Sequence, residues 1–294
     1  MNRAAVIVIG SNSTRLLAAD LAPGLPNPLR GREETRLFLS LKEDGLLSQE
    51  GMEHTAQAVE KLRAMAAHSG AERVFLLATS ATRDAKNREE FERLIHEQSG
   101  LSLSLLSGEE EARLAFSGAS GLLPEGTRGV LDIGGGSTEV VVGDREIKEA
   151  RSLQMGAGRL MKMRRMDSPE DIAPARQLSD RVINALPYLR ADHWAMVGGT
   201  GTVLMHMLLG LPQGSEVPEL FPVKKQDAEA MLRLVALTPR EKRGGIPGLP
   251  PERIDIMPTG LVILLSVMDR LDIGEISITT RNNTDGFLIG LLQQ

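Results

Sequence analysis

Short apolar runs alternate with amphipathic stretches along the chain. Residues 4–9 are Ala, Val and Ile, a run that predicts a strand buried on both faces. A polar turn at 10–13 follows, and a second strand continues to about Ala19. Residues 22–30 carry three prolines and one glycine and read as a loop. Residues 35–41 alternate and predict another strand. Ser48 then caps a helix to about His68, with Met52, Ala56, Val59, Leu62 and Ala66 on one face. Strands are predicted at 74–78 and 101–106, and helices from Asn87 and over 108–119.

At Gly129 the pattern restarts: strand 129–133, turn 134–137, strand 138–143. Ser168-Pro169 starts a helix running to about Tyr188. A strand at 195–197 ends in the glycine-rich stretch 198–202, and 203–209 reads as helical. Residues 244–251 read as a loop, 254–271 as a long apolar helix that Pro258 could break, 276–280 as a strand and 285–292 as a last helix. Strands alternating with helices predict an α/β fold.

The restart is a repeat. Residues 6–20 read VIVIGSNSTRLLAAD and residues 130–144 read VLDIGGGSTEVVVGD. The superposition places Ile9 on Ile133, Gly10 on Gly134, Ser13 on Ser137 and Thr14 on Thr138. It predicts two duplicated domains, 1–122 and 123–294, each opening on a glycine-rich hairpin. Small residues in such a turn let backbone N–H groups approach and surround an anion, and Ser and Thr hydroxyls add donors. Each turn alone could be a plain hairpin; the duplicated pair points to phosphate, clamped from two sides.

Composition narrows the chemistry. The net charge of −5 argues against a basic nucleic-acid binder, so an anionic substrate needs a local pocket of Arg, Lys and backbone amides. The absence of cysteine excludes disulfides, zinc thiolates and thiol nucleophiles. The five histidines show no metal-ligand spacing. No run reaches the ~20 apolar residues of a membrane span, and with no leader-like N-terminus the chain reads as cytoplasmic.

The segments IGSNSTRLL (9–17), ATSATRDAKNREEF (78–91), SGEEEARLAFSG (107–118), LDIGGGSTEVVVG (131–143), SLQMGAGRL (152–160), VGGTGT (197–202) and RIDIMPTGLVIL (253–264) occur in that order over almost the whole length. In them the chain resembles the exopolyphosphatase/guanosine pentaphosphatase family, in its short two-domain form. The resemblance implies two ribonuclease H-like domains of the actin–hexokinase superfamily flanking an interdomain cleft. It implies a homodimer acting on inorganic polyphosphate or guanosine pentaphosphate, without nucleic-acid or membrane partners.

By motif position, the resemblance makes Glu111 the catalytic base and gives Asp132 and Glu139 to a Mg²⁺ or Mn²⁺ ion. It gives phosphate to Gly10, Ser11, Asn12, Ser13 and Arg83, and to Gly134, Gly135, Gly136, Ser137 and Thr138. Read from the residues alone, the run Glu109-Glu110-Glu111 also suits a helix N-terminus, and Glu110 stays second choice as base. Arg83 could equally form a surface ion pair, and Arg113 a solvated one.

The chain departs from the family pattern at Val8, where the family carries Asp; the repeat shows the same loss, since Val8 aligns with Asp132. The C-terminal stretch 280–286 also departs, keeping only Arg281 and Gly286 of the family's pattern and carrying Asp285 for its Glu. A weakened or inactive polyphosphate- or alarmone-binding regulator is therefore the alternative to an enzyme. Aromatics at 3% leave few partners for stacking a nucleotide base, which tilts the substrate toward polyphosphate.

Overall fold

The structure, a computed structural model, describes residues 2–293, and these form two compact units. Unit 1 holds residues 1–118 and 283–294, and unit 2 holds residues 119–282.

In unit 1, β1 (Arg3–Ile9), β2 (Thr14–Asp20) and β3 (Leu29–Glu33) form an antiparallel meander. A short helix α1 (Leu37–Ser40) and the long α2 (Gln49–His68) follow. The Ser48 side chain accepts from the Gly51 amide and caps α2, and the apolar stripe Met52, Ala56, Val59, Leu62 and Ala66 is buried. Next come β4 (Arg73–Ala78), α3 (Ser80–Arg83), α4 (Arg88–Ser99), β5 (Leu103–Leu105) and α5 (Gly108–Ala119). β4 lies parallel to β1 and β5 parallel to β4, so the sheet order is β3-β2-β1-β4-β5.

Unit 2 repeats the plan. β6 (Arg128–Ile133), β7 (Thr138–Gly143) and β8 (Ile147–Leu153) are again an antiparallel meander. After α6 (Ala157–Met163) and α7 (Ile172–Ile183) come β9 (His193–Val197) and α8 (Gly198–Leu209). β10 (Phe221–Lys224), α9 (Lys225–Leu237), α10 (Met257–Arg270) and β11 (Glu275–Ile278) complete it. β9 is parallel to β6 and β11 to β9, so β8-β7-β6-β9-β11 matches β3-β2-β1-β4-β5, with β10 added as an antiparallel edge. Both units are ribonuclease H-like α/β folds, and the sequence repeat is a structural one. Leu261–Met268 are buried without exception: α10 is the central helix of the unit 2 core. Pro258 lies in its first turn, where no helical hydrogen bond is lost, so the break anticipated there is absent.

The domain boundary at 122/123 needs correction. The chain divides at 118/119, and its last helix, α11 (Asn283–Leu291), belongs to unit 1. Leu288 is buried in the cluster of Ala4, Val6, Val8, Leu17 and Leu77, and Phe287 meets Phe75 edge-on at 5.1 Å. A side chain at Gly286 would put its Cβ 1.9 Å from the Leu114 carbonyl oxygen, so glycine lets α11 lie against α5.

Two further corrections concern elements. The strand expected over 35–41 gives way to the helix α1, and the strand lies earlier, at Leu29–Glu33, starting at the end of the segment read as loop. The helix expected from Ser168 starts with a single 3₁₀ turn over Pro169–Asp171, and its α-helical part ends at Ile183. Among the described residues no helix is long and apolar enough to cross a membrane.

Candidate phosphate-binding and catalytic site

Each hairpin turn is closed in the same way. The Gly10 amide donates to the Ser13 carbonyl at 3.1 Å, and the Gly134 amide to the Ser137 carbonyl at 3.0 Å. These two amides are therefore committed to turn closure.

The carbonyls between them are committed as well. In the first hairpin, Ser11 O accepts from the Phe38 amide and Asn12 O from the Arg36 amide, both at 2.8 Å. In the second, Gly134 O accepts from the Ala157 amide at 2.8 Å and Gly135 O from the Arg159 amide at 2.9 Å. Gly136 O accepts from Arg159 Nε at 2.8 Å. A trans peptide plane sets its C=O and N–H in opposite directions. Carbonyls drawn toward α1 therefore turn the amides of Asn12 and Ser13 away from it. Carbonyls drawn toward the start of α6 likewise turn the amides of Gly135, Gly136 and Ser137 outward. Successive outward amides in a glycine-rich turn form an anion-binding nest.

The segment SLQMGAGRL thus acquires a physical role, as the backing of the second hairpin. Gly156 is its tightest point: a Cβ there would lie 2.5 Å from Gly135 C and 2.6 Å from both Gly135 O and Gly136 C. Those are backbone atoms, which cannot swing aside. Gly156→Ala is expected to displace the hairpin and lower catalytic turnover by about 10²-fold, the scale of a ~1 Å misplacement. Phosphate release and the thermal midpoint measured together check this; unchanged release in a folded variant contradicts it.

Three of the predicted phosphate donors have side chains engaged within the protein. Thr138 is fully buried, and its hydroxyl donates to Met155 O at 2.5 Å, tying β7 to the end of β8. The Asn12 side-chain amide donates to Glu34 at 2.7 Å. Ser11 Oγ lies 2.7 Å from Ser80 Oγ, both buried, and links the first hairpin to the start of α3. Ser80 stands inside the motif ATSATR, but only the fold shows its partner.

At the other end of α3, Arg83 Nη1 donates to the Leu106 carbonyl at 2.8 Å and lies 3.6 Å from Glu111 Oε2. The three consecutive glutamates separate cleanly. Glu109 is exposed. Glu110 accepts from the Ser107 amide at 2.7 Å while Ser107 Oγ accepts from the Glu110 amide at 3.2 Å, a capping box. Those hydrogen bonds, the one from the Ser107 amide first, hold the Glu110 carboxyl below its ordinary pKa. Glu111 is 7% exposed and faces Arg83. Arg113 is exposed. A buried carboxylate beside a fixed guanidinium can orient and deprotonate a water molecule.

In unit 2, Asp132 and Glu139 are cross-strand partners on β6 and β7, 4% and 1% exposed. Ser152 Oγ donates to Glu139 Oε1 at 2.7 Å. Directly opposed like charges are unfavourable in a sheet, and more so when buried. A hard divalent cation would relieve that conflict, and Mg²⁺ is commonly held by one or two carboxylates, with waters and phosphate oxygens completing the shell. Among the described residues no three His, Asp or Glu side chains cluster as metal ligands, so this pair is what unit 2 offers such an ion. In unit 1 the same register holds Val8 opposite Arg15, and Val8 is wholly buried among apolar side chains.

The glycine-rich stretch 198–202, expected as a strand end, opens the helix α8. A Cβ at Gly198 would fall 2.2 Å from Asp132 Oδ1, and Gly198 has φ +84°. A Cβ at Gly199 would fall 2.6 Å from the Arg253 guanidinium. The two glycines admit a carboxylate and an arginine to the amino end of a helix, where backbone amides and the helix dipole favour anions. In the sequence Arg253 is marked only by its place at the head of RIDIMPTGL.

Fold and site together define a protein of two ribonuclease H-like α/β units, each with a glycine- and serine-rich hairpin turn after its first strand. Residues 21–294 match the Ppx/GppA phosphatase family. Exopolyphosphatase 2 of Mycobacterium tuberculosis is 29% identical over 318 residues, covering 99% of each chain. The guanosine-5'-triphosphate,3'-diphosphate pyrophosphatase of Aeromonas salmonicida is 30% identical over 305 residues, covering 98% of this chain and 59% of that one. The crystal structure of the Aquifex aeolicus member of the Ppx/GppA family superposes with a TM-score of 0.82 at 26% identity, covering 99% and 97% of the two chains. An exopolyphosphatase from Cytophaga hutchinsonii shares the fold with a TM-score of 0.89 at 22% identity, covering 99% and 98%. This chain belongs to the Ppx/GppA phosphatase family.

Proposed function

We propose that the protein is an exopolyphosphatase that releases terminal phosphate from inorganic polyphosphate, with guanosine pentaphosphate as a second substrate. The observation that carries the reading is the pair of turns, one per unit, whose carbonyls are bound from behind and whose amides face outward. Those amides bind phosphate oxygens. Arg83, fixed by Leu106 O, neutralises charge on the transferring group, and Glu111 takes the proton of the attacking water. Asp132 and Glu139 would hold Mg²⁺ or Mn²⁺. Such an ion, when bound, supplies Lewis-acid charge for the phosphoanhydride oxygens.

The preference for polyphosphate is supported by where the rings lie. The only Trp and the only Tyr of the chain line a cavity at the amino ends of β6, β9 and β11, whereas Asp132 lies near the carboxyl end of β6. The test is phosphate release from a polyphosphate ladder and from guanosine pentaphosphate, with Mg²⁺, with Mn²⁺ and with a chelator. Release from polyphosphate that the chelator abolishes supports the reading; release from the nucleotide alone reverses the substrate order.

A second reading has its own observation. Val8 puts an apolar side chain at the register position that Asp132 holds in unit 2. A regulator that binds polyphosphate without cleaving it would show saturable binding and no release with either metal.

A further inference from the structure

The scarcity of aromatic rings in this chain gives weight to where the two polar ones lie. Tyr188 and Trp194 line one cavity of about 530 Å³ in unit 2, with Arg190, Asp192, Asp272 and Glu275. It sits where β6, β9 and β11 begin, four residues and so roughly 13 Å along β6 from Asp132. The hairpin and α8 lie at the opposite strand ends, so the cavity is separate from the phosphate site of this unit.

Its lining combines two aromatic rings with three carboxylates and one guanidinium. Tyr188 is 51% exposed, and the Arg190 guanidinium lies 5.2 Å from its ring centroid. The indole of Trp194 occupies the space a side chain at Gly129 would take, where a Cβ would fall 2.3 Å from the ring. Asp192 is oriented by the Thr127 amide, which donates to it at 2.8 Å. Ionised carboxylates only accept hydrogen bonds. Guanine offers two adjacent N–H donors on one edge, whereas adenine sets a ring-nitrogen acceptor beside its amino group, and a carboxylate repels that acceptor. Exposed tyrosine faces stack bases of any kind, so discrimination falls to the carboxylates.

We propose that this cavity binds a guanine base, stacked on Tyr188 and read along its donor edge by the carboxylates of the wall. The site is additional to the hydrolytic one and accepts the base itself, with any sugar directed to the open side.

Trp194, as the only tryptophan, supplies the readout. The full-length protein is titrated with guanosine, adenosine and spermidine, following tryptophan fluorescence and heat of binding. Guanosine is expected to give saturable quenching with at least a fivefold preference over adenosine. Tyr188→Ala is expected to weaken it about fivefold or more, the lower end of a base–aromatic stack, and Glu275→Gln to reduce the preference over adenosine. Because Tyr188 is half exposed, its truncation leaves the core intact. The proposal is overturned by no saturable response to guanosine below about 1 mM, by equal binding to Tyr188→Ala, or by spermidine binding where guanosine does not.

Discussion

Exchange of Glu111 for Gln is expected to lower phosphate release by about 10²–10⁴-fold, the contribution of a positioned general base, while the protein stays folded. Gln keeps the shape of the side chain and its hydrogen-bonding capacity but cannot take a proton from water. The neighbouring carboxylate provides the control. Glu110 caps α5 through Ser107, so Glu110→Ala should cost about 1 kcal/mol of stability and leave turnover nearly unchanged. Release and thermal unfolding measured on both variants separate the two roles. A live Glu111→Gln beside a dead Glu110→Ala would move the base by one residue and remove the meaning assigned to the Arg83–Glu111 pair.

The second large effect concerns stability. Gly286→Val should cost roughly 3 kcal/mol or more, because its side chain meets the Leu114 carbonyl oxygen and carbon and the Gly118 amide, all backbone atoms. The whole of α11 would have to lift, exposing Leu288 and separating Phe287 from Phe75. A fall of about 10 °C in the midpoint of thermal unfolding is expected. Gly290, one turn later on the same helix, has open space where its Cβ would sit. Gly290→Ala should therefore be neutral or slightly stabilising, since alanine is the better helix former. Equal melting of Gly286→Val and wild type would show that the helix contact is not needed for the fold.

The elements missed from the sequence share a cause. β3 (Leu29–Glu33) and β8 (Ile147–Leu153) are both edge strands, rich in charge and only partly buried. Edge strands carry charges that discourage pairing with other chains, and so they look like loops. Leu37, Phe38 and Leu41, by contrast, alternate loosely enough to imitate a strand, although Leu37 and Phe38 pack into the unit 1 core on a helical turn. The stretch 198–202 reads as the glycine-rich end of a strand, with helix only from 203, because glycine disfavours helix, yet the helix begins there. The room those glycines make for Asp132 and Arg253 outweighs their poor propensity.

The residues on their own determined what depends on near neighbours and on repetition: the buried strands, the capped helix α2 and the duplicated hairpins. Periodicity and turn chemistry are local properties, and a repeat is visible wherever it falls. Only the tertiary structure decided which of three consecutive glutamates turns inward, which amides face outward, and to which unit the last helix returns. Those outcomes rest on partners distant in sequence: Leu106 and Arg83 for Glu111, Arg36 and Arg159 for the turns, Leu114 for Gly286. Burial and hydrogen-bond direction follow from packing between segments, and no local pattern encodes them.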